Sequence, residues 1–476
     1  MDAQEFRRLG HQLIDWVADY REGIERHPVM SQVTPGSIRA TFTPEPPQQG
    51  QGMDQALLSL ERDILPGITH WNHPAFFAYF PSITSYPSIL ADLVTAGLGA
   101  QGLNWQASPA AAEVEEVVMD WLRQMLGLSP AFSGVIHDTA STATLCALLC
   151  AREKGSHFSQ NGPGLQGASA PLVVYSSNQA HSSIEKAALL AGFGKHHLRL
   201  IDTDSQHALR LDLLEQAIAA DLAAGLQPCA LVGCVGTTGT TAVDPLPAMA
   251  ALAQKHGLWF HVDAAMAGTA MLLPECRHIW EGVENADSLI INPHKWMGVG
   301  FDFAAYFVRD PEHLIRVMST NPSYLQTTQD SQVKNYRDWH IQLGRRFRAL
   351  KLWFVLADQG VTGIQARLRR DLDNAQWFKA QLEAAADWEI MAPVPFQTVC
   401  IRHVPPSLKA DLAALNAHNL AIATSINQSG QAYLTPSMLK GQQILRVSIG
   451  SEPTERQHVQ ALWDQLRSVA SGSSVG

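Results

Sequence analysis

Lys295 and Asp263 are the residues from which chemistry can be read. Lys295 stands in the stretch SLIINPHKWMG, just past an apolar run that ends at Asn292-Pro293, and Asp263 closes the run LWFHVD. In an open α/β sheet, ligands collect beyond the carboxyl ends of the strands, so a lysine and an aspartate that each follow a strand point into one crevice. On the pair alone, two readings stay open. The charges neutralise one another as a structural pair, or the amine forms a Schiff base with pyridoxal phosphate while the carboxylate pairs with the protonated ring nitrogen.

Three other stretches add candidates. Thr139-Ala140-Ser141 precedes a helical run, where backbone N–H groups and hydroxyls can hold a phosphate dianion at a positive helix end. An ordinary Ser/Thr cap is the alternative. His181, in YSSNQAHSSIEKAA, follows a predicted strand at a helix start; an imidazole there can lie flat on an aromatic cofactor, or simply cap or pack. Thr237 and Thr238, in VGCVGTTGTTAVDP, end a further strand. Each is weak singly. Together, a phosphate cradle, a ring-stacking group, an acid and a lysine arrive in chain order at four strand ends, and that combination favours the cofactor site.

Such convergence needs a scaffold that delivers strand ends to one edge. Short apolar runs alternate with Ala/Leu-rich helical segments between about 86 and 360, which predicts a largely parallel sheet with crossover helices. The expected strands are Leu172–Ser176, Leu198–Ile201, Cys229–Val235, Leu258–Val262, Ser288–Ile291 and Phe303–Val308. Residues 1–85 read as a helical extension interrupted by TPEPPQQGQG, and 361–476 as a smaller α/β lobe with strands at Thr398–Arg402 and Ile444–Ile449. The tail SGSSVG is expected to be disordered.

A chain of 476 residues is long for one core, and its charge of −10 offers no basic stripe for nucleic acid. The N-terminus lacks the apolar core of a signal peptide and no run is of membrane-spanning length, so a cytoplasmic protein without a membrane partner is expected. Six scattered cysteines fit reduced, buried thiols. There is no H-E-x-x-H and no zinc-spaced C-x-x-C, and no metal is expected. Gly97, Gly99 and Gly102 match G-x-G-x-x-G but follow a helix-like run, the wrong context for a dinucleotide. Glu113, Glu115 and Glu116 are expected on a solvated helix face or in local ion pairs.

The strings HPAFFAYFPS, YSSNQAHSSIEKA, HVDAAMAG, NPHKW and LGRRFRALKLWF resemble the group II pyridoxal-phosphate decarboxylases, in particular the aromatic-L-amino-acid decarboxylases, across essentially the whole chain. The resemblance implies an α/β protein of the PLP-dependent transferase fold type I, with a mixed, mainly parallel sheet in the large domain. It also implies a homodimer with the active site at the subunit interface. Carried over by motif, Lys295 is the Schiff-base lysine, Asp263 the partner of the pyridine nitrogen and His181 the stacking group. Ala140, Ser141, Ser288, Asn292 and His294 surround the phosphate, with Thr238 and Ala265 against the ring. Trp71, Tyr79, Phe80, Pro81 and Ser82 line the substrate side, Leu103 comes from the neighbouring subunit, and Gly344 leaves room for larger rings. Asp138, Met266, Gln101 and Leu103 depart from the common pattern, which puts the ring preference in question.

The implied reaction releases carbon dioxide from an aromatic L-amino acid to give the arylalkylamine. Tyr324, in a polar segment read as a lid, is the expected proton donor to Cα. An aminotransferase, with Arg446 as carboxylate clamp, and an oxygen-using aldehyde synthase are the rival activities on the same fold.

Overall fold

The computed structural model of the chain describes residues 1–320 and 322–472; Asn321, the side chain of Tyr324 and Ser473 to Gly476 of the tail lie outside the described residues. Its strands are β1 (Phe76–Phe77), β2 (Ser133–His137), β3 (Leu172–Ser177), β4 (Leu198–Ile201), β5 (Gln227–Cys234), β6 (Trp259–Asp263), β7 (Ser288–Ile291), β8 (Ala304–Val308), β9 (Trp388–Ile390), β10 (Thr398–His403), β11 (Tyr433–Leu439) and β12 (Gln442–Ser448). The helices that matter below are α1 (Ala3–Glu22), α2 (Tyr86–Leu98), α3 (Pro109–Met125), α4 (Ala140–Gly155), α5 (Ser182–Leu190) and α6 (Pro293–Trp296). Two compact units result: Met1–Pro81, Asn374–Met391 and Cys400–Gly476 form one, and Ser82–Asp373 with Ala392–Val399 the other.

In the larger unit the strands form one sheet in the order β2-β8-β7-β6-β5-β3-β4. Only β8 runs antiparallel to its neighbours, β2 and β7. The carboxyl ends of β2, β3, β5, β6 and β7 therefore open onto one edge. These runs are buried on both faces, which is why they read as nearly continuous Val, Ile and Leu rather than as alternating patterns. Helix α4 is apolar almost all round and is packed in the core: its Ala143, Ala147, Leu148 and Ala151 join Val135, Val174, Val232, Ile290 and Tyr306 of the sheet.

The expected strands of this unit are present within two residues. β2 was not expected, because Ser-Gly-Val-Ile-His is short and carries a glycine; Met119 and Phe307 close over Gly134 where a Cβ would stand, at 2.4 and 2.8 Å. Gly97 lies inside α2, and Gly99 ends that helix in the left-handed conformation at φ 60°, so the glycine pattern belongs to a helix terminus.

The acidic cluster differs from expectation. Glu113 accepts from Trp105 Nε1 and Glu116 pairs with Lys334, but Glu115 is buried and forms a bidentate pair with buried Arg345, at 2.6 and 2.9 Å. The same carboxylate accepts from Ile136 N, and Arg345 donates to Ile136 O. One ion pair thus ties α3, β2 and the segment before residue 349 together. Sequence spacing cannot reveal a partner 230 positions away.

In the smaller unit the sheet order is β1-β11-β12-β10-β9, with β1 parallel to β11 through Phe76↔Tyr433 and Phe77↔Leu434. That pairing, and the ion pair of Arg21 on α1 with Glu452, join the N-terminal residues to the C-terminal ones. β1, β9 and β11 escaped the sequence reading. β11 carries Pro436, which is rare inside a central strand; its pairing with β1 ends at Leu434, so at Pro436 the strand borders β12 alone.

Removing one partner of a buried, hydrogen-bonded ion pair strands the other charge. Glu115→Ala should lower stability by about 3–5 kcal/mol in urea denaturation, against less than about 1 kcal/mol for Glu116→Ala at its exposed pair.

Candidate active site

Lys295 lies on the single turn of α6, and every other residue of that turn is fixed. Trp296 is fully buried and donates from Nε1 to Asp371 Oδ2 at 2.9 Å, while Arg367 donates to the Trp296 carbonyl. His294 is buried and accepts from Phe303 N through Nδ1 at 3.0 Å, which leaves the proton on Nε2. Lys295 N–H donates to Asn292 O, and its carbonyl accepts from Ile83 N. Ser82 donates to the His294 carbonyl at 3.4 Å. The half-buried amine is thus carried by a backbone held on both sides.

Asp263 ends β6, beside β7, with His261↔Ser288 and Asp263↔Ile290 in register. Its Oδ1 accepts from Ala265 N at 3.0 Å, and the Ala265 carbonyl accepts from Asn292 N, so the two strand ends are stitched together. On the other side, Gly236 after β5 has φ +79°, and a Cβ there would lie 2.4 Å from that of Ala267. Only glycine lets the Thr237-Thr238 turn approach that closely. Thr237 is buried and bonded to Thr240, whereas Thr238 faces out.

His181 caps α5, with Nδ1 accepting from Ser183 N at 3.1 Å, so the capping role weighed for it is real and it also fixes the ring with its proton on Nε2. Burial lowers its pKa; the Asp263 carboxylate raises it, and Lys295 lowers it. The imidazole therefore senses both charges. At α4 Thr139 occupies the cap position, but its hydroxyl accepts from no backbone N–H of the first turn and lies instead 3.4 Å from the Thr142 hydroxyl. Asp138 turns onto Thr139 N and takes a bond from Gln342. The helix start carrying Ala140 and exposed Ser141 is left as a cradle of N–H donors.

Ser288 is a correction. It begins β7, at the end away from Asn292, and its buried hydroxyl binds Trp259 Nε1 at 3.0 Å and His261 Nδ1 at 2.9 Å inside the sheet. That placement came from the resemblance; a strand separates its ends by about 3.3 Å per residue, which sets Ser288 well away from Asn292. Leu103 and Gly344 follow no strand; they are neighbours through Gly102 N and Arg345 O, and a Cβ on Gly344 would meet only Gln101 Oε1 at 3.8 Å. Trp71, Tyr79, Phe80 and Pro81 stand in the smaller unit. There Trp71 stacks on Tyr79, and Arg446 lies over the Phe80 ring while donating to the Tyr79 carbonyl. Thr435 and Tyr433, which hold Tyr79, were not anticipated, since nothing local marks them.

Residues 35–404 match the family described as the pyridoxal-dependent decarboxylase conserved domain. The chain belongs to this family. It is 42% identical to the aromatic-L-amino-acid decarboxylase of Bos taurus, over 99% of this chain and 97% of that one, and 40% identical to a phenylacetaldehyde synthase of Arabidopsis thaliana over the same shares. The crystal structure described as Oryza sativa TDC with PLP and tryptamine superposes with a TM-score of 0.96 at 34% identity, covering 99% of both chains. This family member is a carboxy-lyase whose cofactor is pyridoxal phosphate.

The residues present fit that cofactor. The uncapped start of α4 suits a phosphate, and the buried Asn292 Oδ1 has no partner of its own, as expected of an atom that awaits a ligand or water. Burial and then the Lys295 charge press His294 down to about 3, so it stays a neutral Nε2–H donor. Burial likewise lowers His137 to about 3 and His261 to about 4.

An unfolded imidazole titrates near 6.5, so between about pH 6.5 and 4 the unfolded chain binds protons that these folded histidines refuse. Stability of the cofactor-free chain should be level above pH 7 and fall as pH drops through that window, by up to about 1.4 kcal/mol per pH unit for each histidine. Urea midpoints from pH 8 to 4.5 measure it; a midpoint level down to pH 5 would contradict neutral burial.

Proposed function

We propose that the chain decarboxylates aromatic L-amino acids, among them DOPA, tryptophan, 5-hydroxytryptophan, tyrosine and phenylalanine, to arylalkylamine and carbon dioxide, as a cytoplasmic homodimer. The observation that carries this reading is that Lys295, Asp263 and His181 meet on one sheet edge, near enough for both charges to act on the imidazole. The aromatic preference is supported by Trp71, Tyr79 and Phe80, which offer rings and no counter-charge, so an ionic side chain would lose its hydration without compensation. The dimer is supported by α2, which leaves Tyr86, Leu90, Leu93 and Leu98 exposed along its length. Among the described residues no helix is long and apolar enough to cross a membrane, and the six cysteines are buried and joined by no disulfide, as in a reducing compartment.

In this reading pyridoxal phosphate, when bound, supplies an electron sink for the pair left at Cα as the carboxylate departs. Lys295 would be the residue that holds it, through its amine. Asp263 would be the partner of the ring nitrogen, favouring its protonated form. The start of α4, with Ser141, Asn292 and the Nε2–H of His294, takes the phosphate. His181, its rotation locked by Ser183, covers the ring face and orients the substrate carboxylate. Thr238 and Ala265 complete the ring's surroundings. Tyr324 delivers a proton to Cα once carbon dioxide has left.

The reaction is tested by a panel of the five amino acids with glutamate as control, quantifying amine, aldehyde and carbon dioxide. Amine and carbon dioxide in equal amounts from at least one aromatic substrate, and none from glutamate, are expected; aldehyde with hydrogen peroxide from the parent would make it an aldehyde synthase. Tyr324→Phe should keep releasing carbon dioxide while amine falls by about 10²-fold or more and aldehyde appears.

A further inference from the structure

We propose that Thr435 and Tyr433 are positioning residues that set how the enzyme meets its substrate's aromatic ring, acting through Tyr79. The inference rests on the reaction proposed above. Tyr79 has φ 52°, a left-handed backbone that is costly for any residue with a Cβ and that persists only where the surroundings over-determine it. Here three contacts do so. Tyr79 N–H donates to Thr435 Oγ1 at 2.7 Å, Arg446 Nη1 donates to the Tyr79 carbonyl at 3.4 Å, and the hydroxyls of Tyr79 and Tyr433 are 3.1 Å apart.

The consequence is a fixed aromatic platform. The Tyr79 and Trp71 rings stack with centroids 5.4 Å apart and planes 13° from parallel, and Tyr433 meets Tyr79 edge-on at 5.9 Å. Trp71 and Tyr79 stay 39% and 48% exposed in spite of this packing. Ordered aromatic surface left open to solvent is what an aryl ligand needs, because rings already held in place lose little freedom on binding. The Tyr433 phenol, pushed up to about 12 first by burial and then by its bond to Tyr79, stays neutral at any working pH, so the hydroxyl pair persists.

Without the Thr435 hydroxyl the Tyr79 N–H loses its acceptor, and the residue can relax to a negative φ that swings its ring away from Trp71. A hydrogen bond from a backbone N–H to a threonine hydroxyl 356 positions away is then what shapes the platform.

The test uses the holoenzyme and the aromatic amino acid it turns over fastest. Thr435→Val should raise KM about tenfold, the scale of one lost hydrogen bond, with kcat, cofactor absorbance and melting temperature near parental; Thr435→Ser should restore KM. Tyr433→Phe, which removes only a hydroxyl, should raise KM about threefold. A crystal structure of Thr435→Val should show Tyr79 at negative φ with its ring off Trp71. A parental KM in Thr435→Val, no rescue by serine, or Tyr79 unmoved would overturn the proposal. Should Thr435→Val not fold, a parental KM in Tyr433→Phe overturns it. A parent inactive on every aromatic amino acid would overturn the reaction instead, and the crystal structure would still decide the positioning.

Discussion

The site hangs on the register of β6 against β7. Because Asp263 sits beside Ile290, a carboxylate that closes one strand stands next to the strand whose following turn carries Lys295. A slip of one residue would turn Asp263 to the other face of the sheet. The register is secured on one side by the backbone bond of Asn292 N to Ala265 O and on the other by His261 and Trp259, which share the Ser288 hydroxyl. Ser288 therefore serves the site at a distance, as part of the clamp that aligns the two strands.

Around that pair the chain keeps its charges few and its hydrogen bonds directional. His181 and His294 are both fixed with Nδ1 as acceptor, one from a helix start and one from Phe303 N, so each presents the same N–H toward its surroundings. Neutral donors and a helix terminus can bind an anion without adding a mobile charge that would compete with Lys295. The turn that bears the lysine is pinned by a buried tryptophan bonded to Asp371, whose pKa burial raises to about 6. The Lys295 backbone therefore stands on rigid support.

The rest of the larger unit exists to bring strand ends together without exposing them. Glu115 and Arg345 illustrate how: their buried pair also satisfies both backbone groups of Ile136, one residue before β2 ends. The short strand β2, with Gly134 admitting Met119 and Phe307, is held as much by this polar clamp as by its own apolar content. The α4 cradle begins three residues later.

Most strands of the larger sheet, and the positions of Lys295 and Asp263 just past two of them, were legible in the sequence because their signals are local. A run such as Ser288–Ile291 must be buried, and a residue just past it must emerge at the strand's end. The family strings then carried the roles that no spacing could supply. Tertiary structure alone decided what depends on distant partners: that Glu115 is paired and buried rather than solvated, that Ser288 faces the sheet interior, and that Pro436 lies on a strand edge. It also decided that Tyr79 is held in a left-handed conformation by a threonine on β11. Each of these turns on a contact between residues far apart in the chain, and side-chain type by itself contains no information about which partner folding will bring.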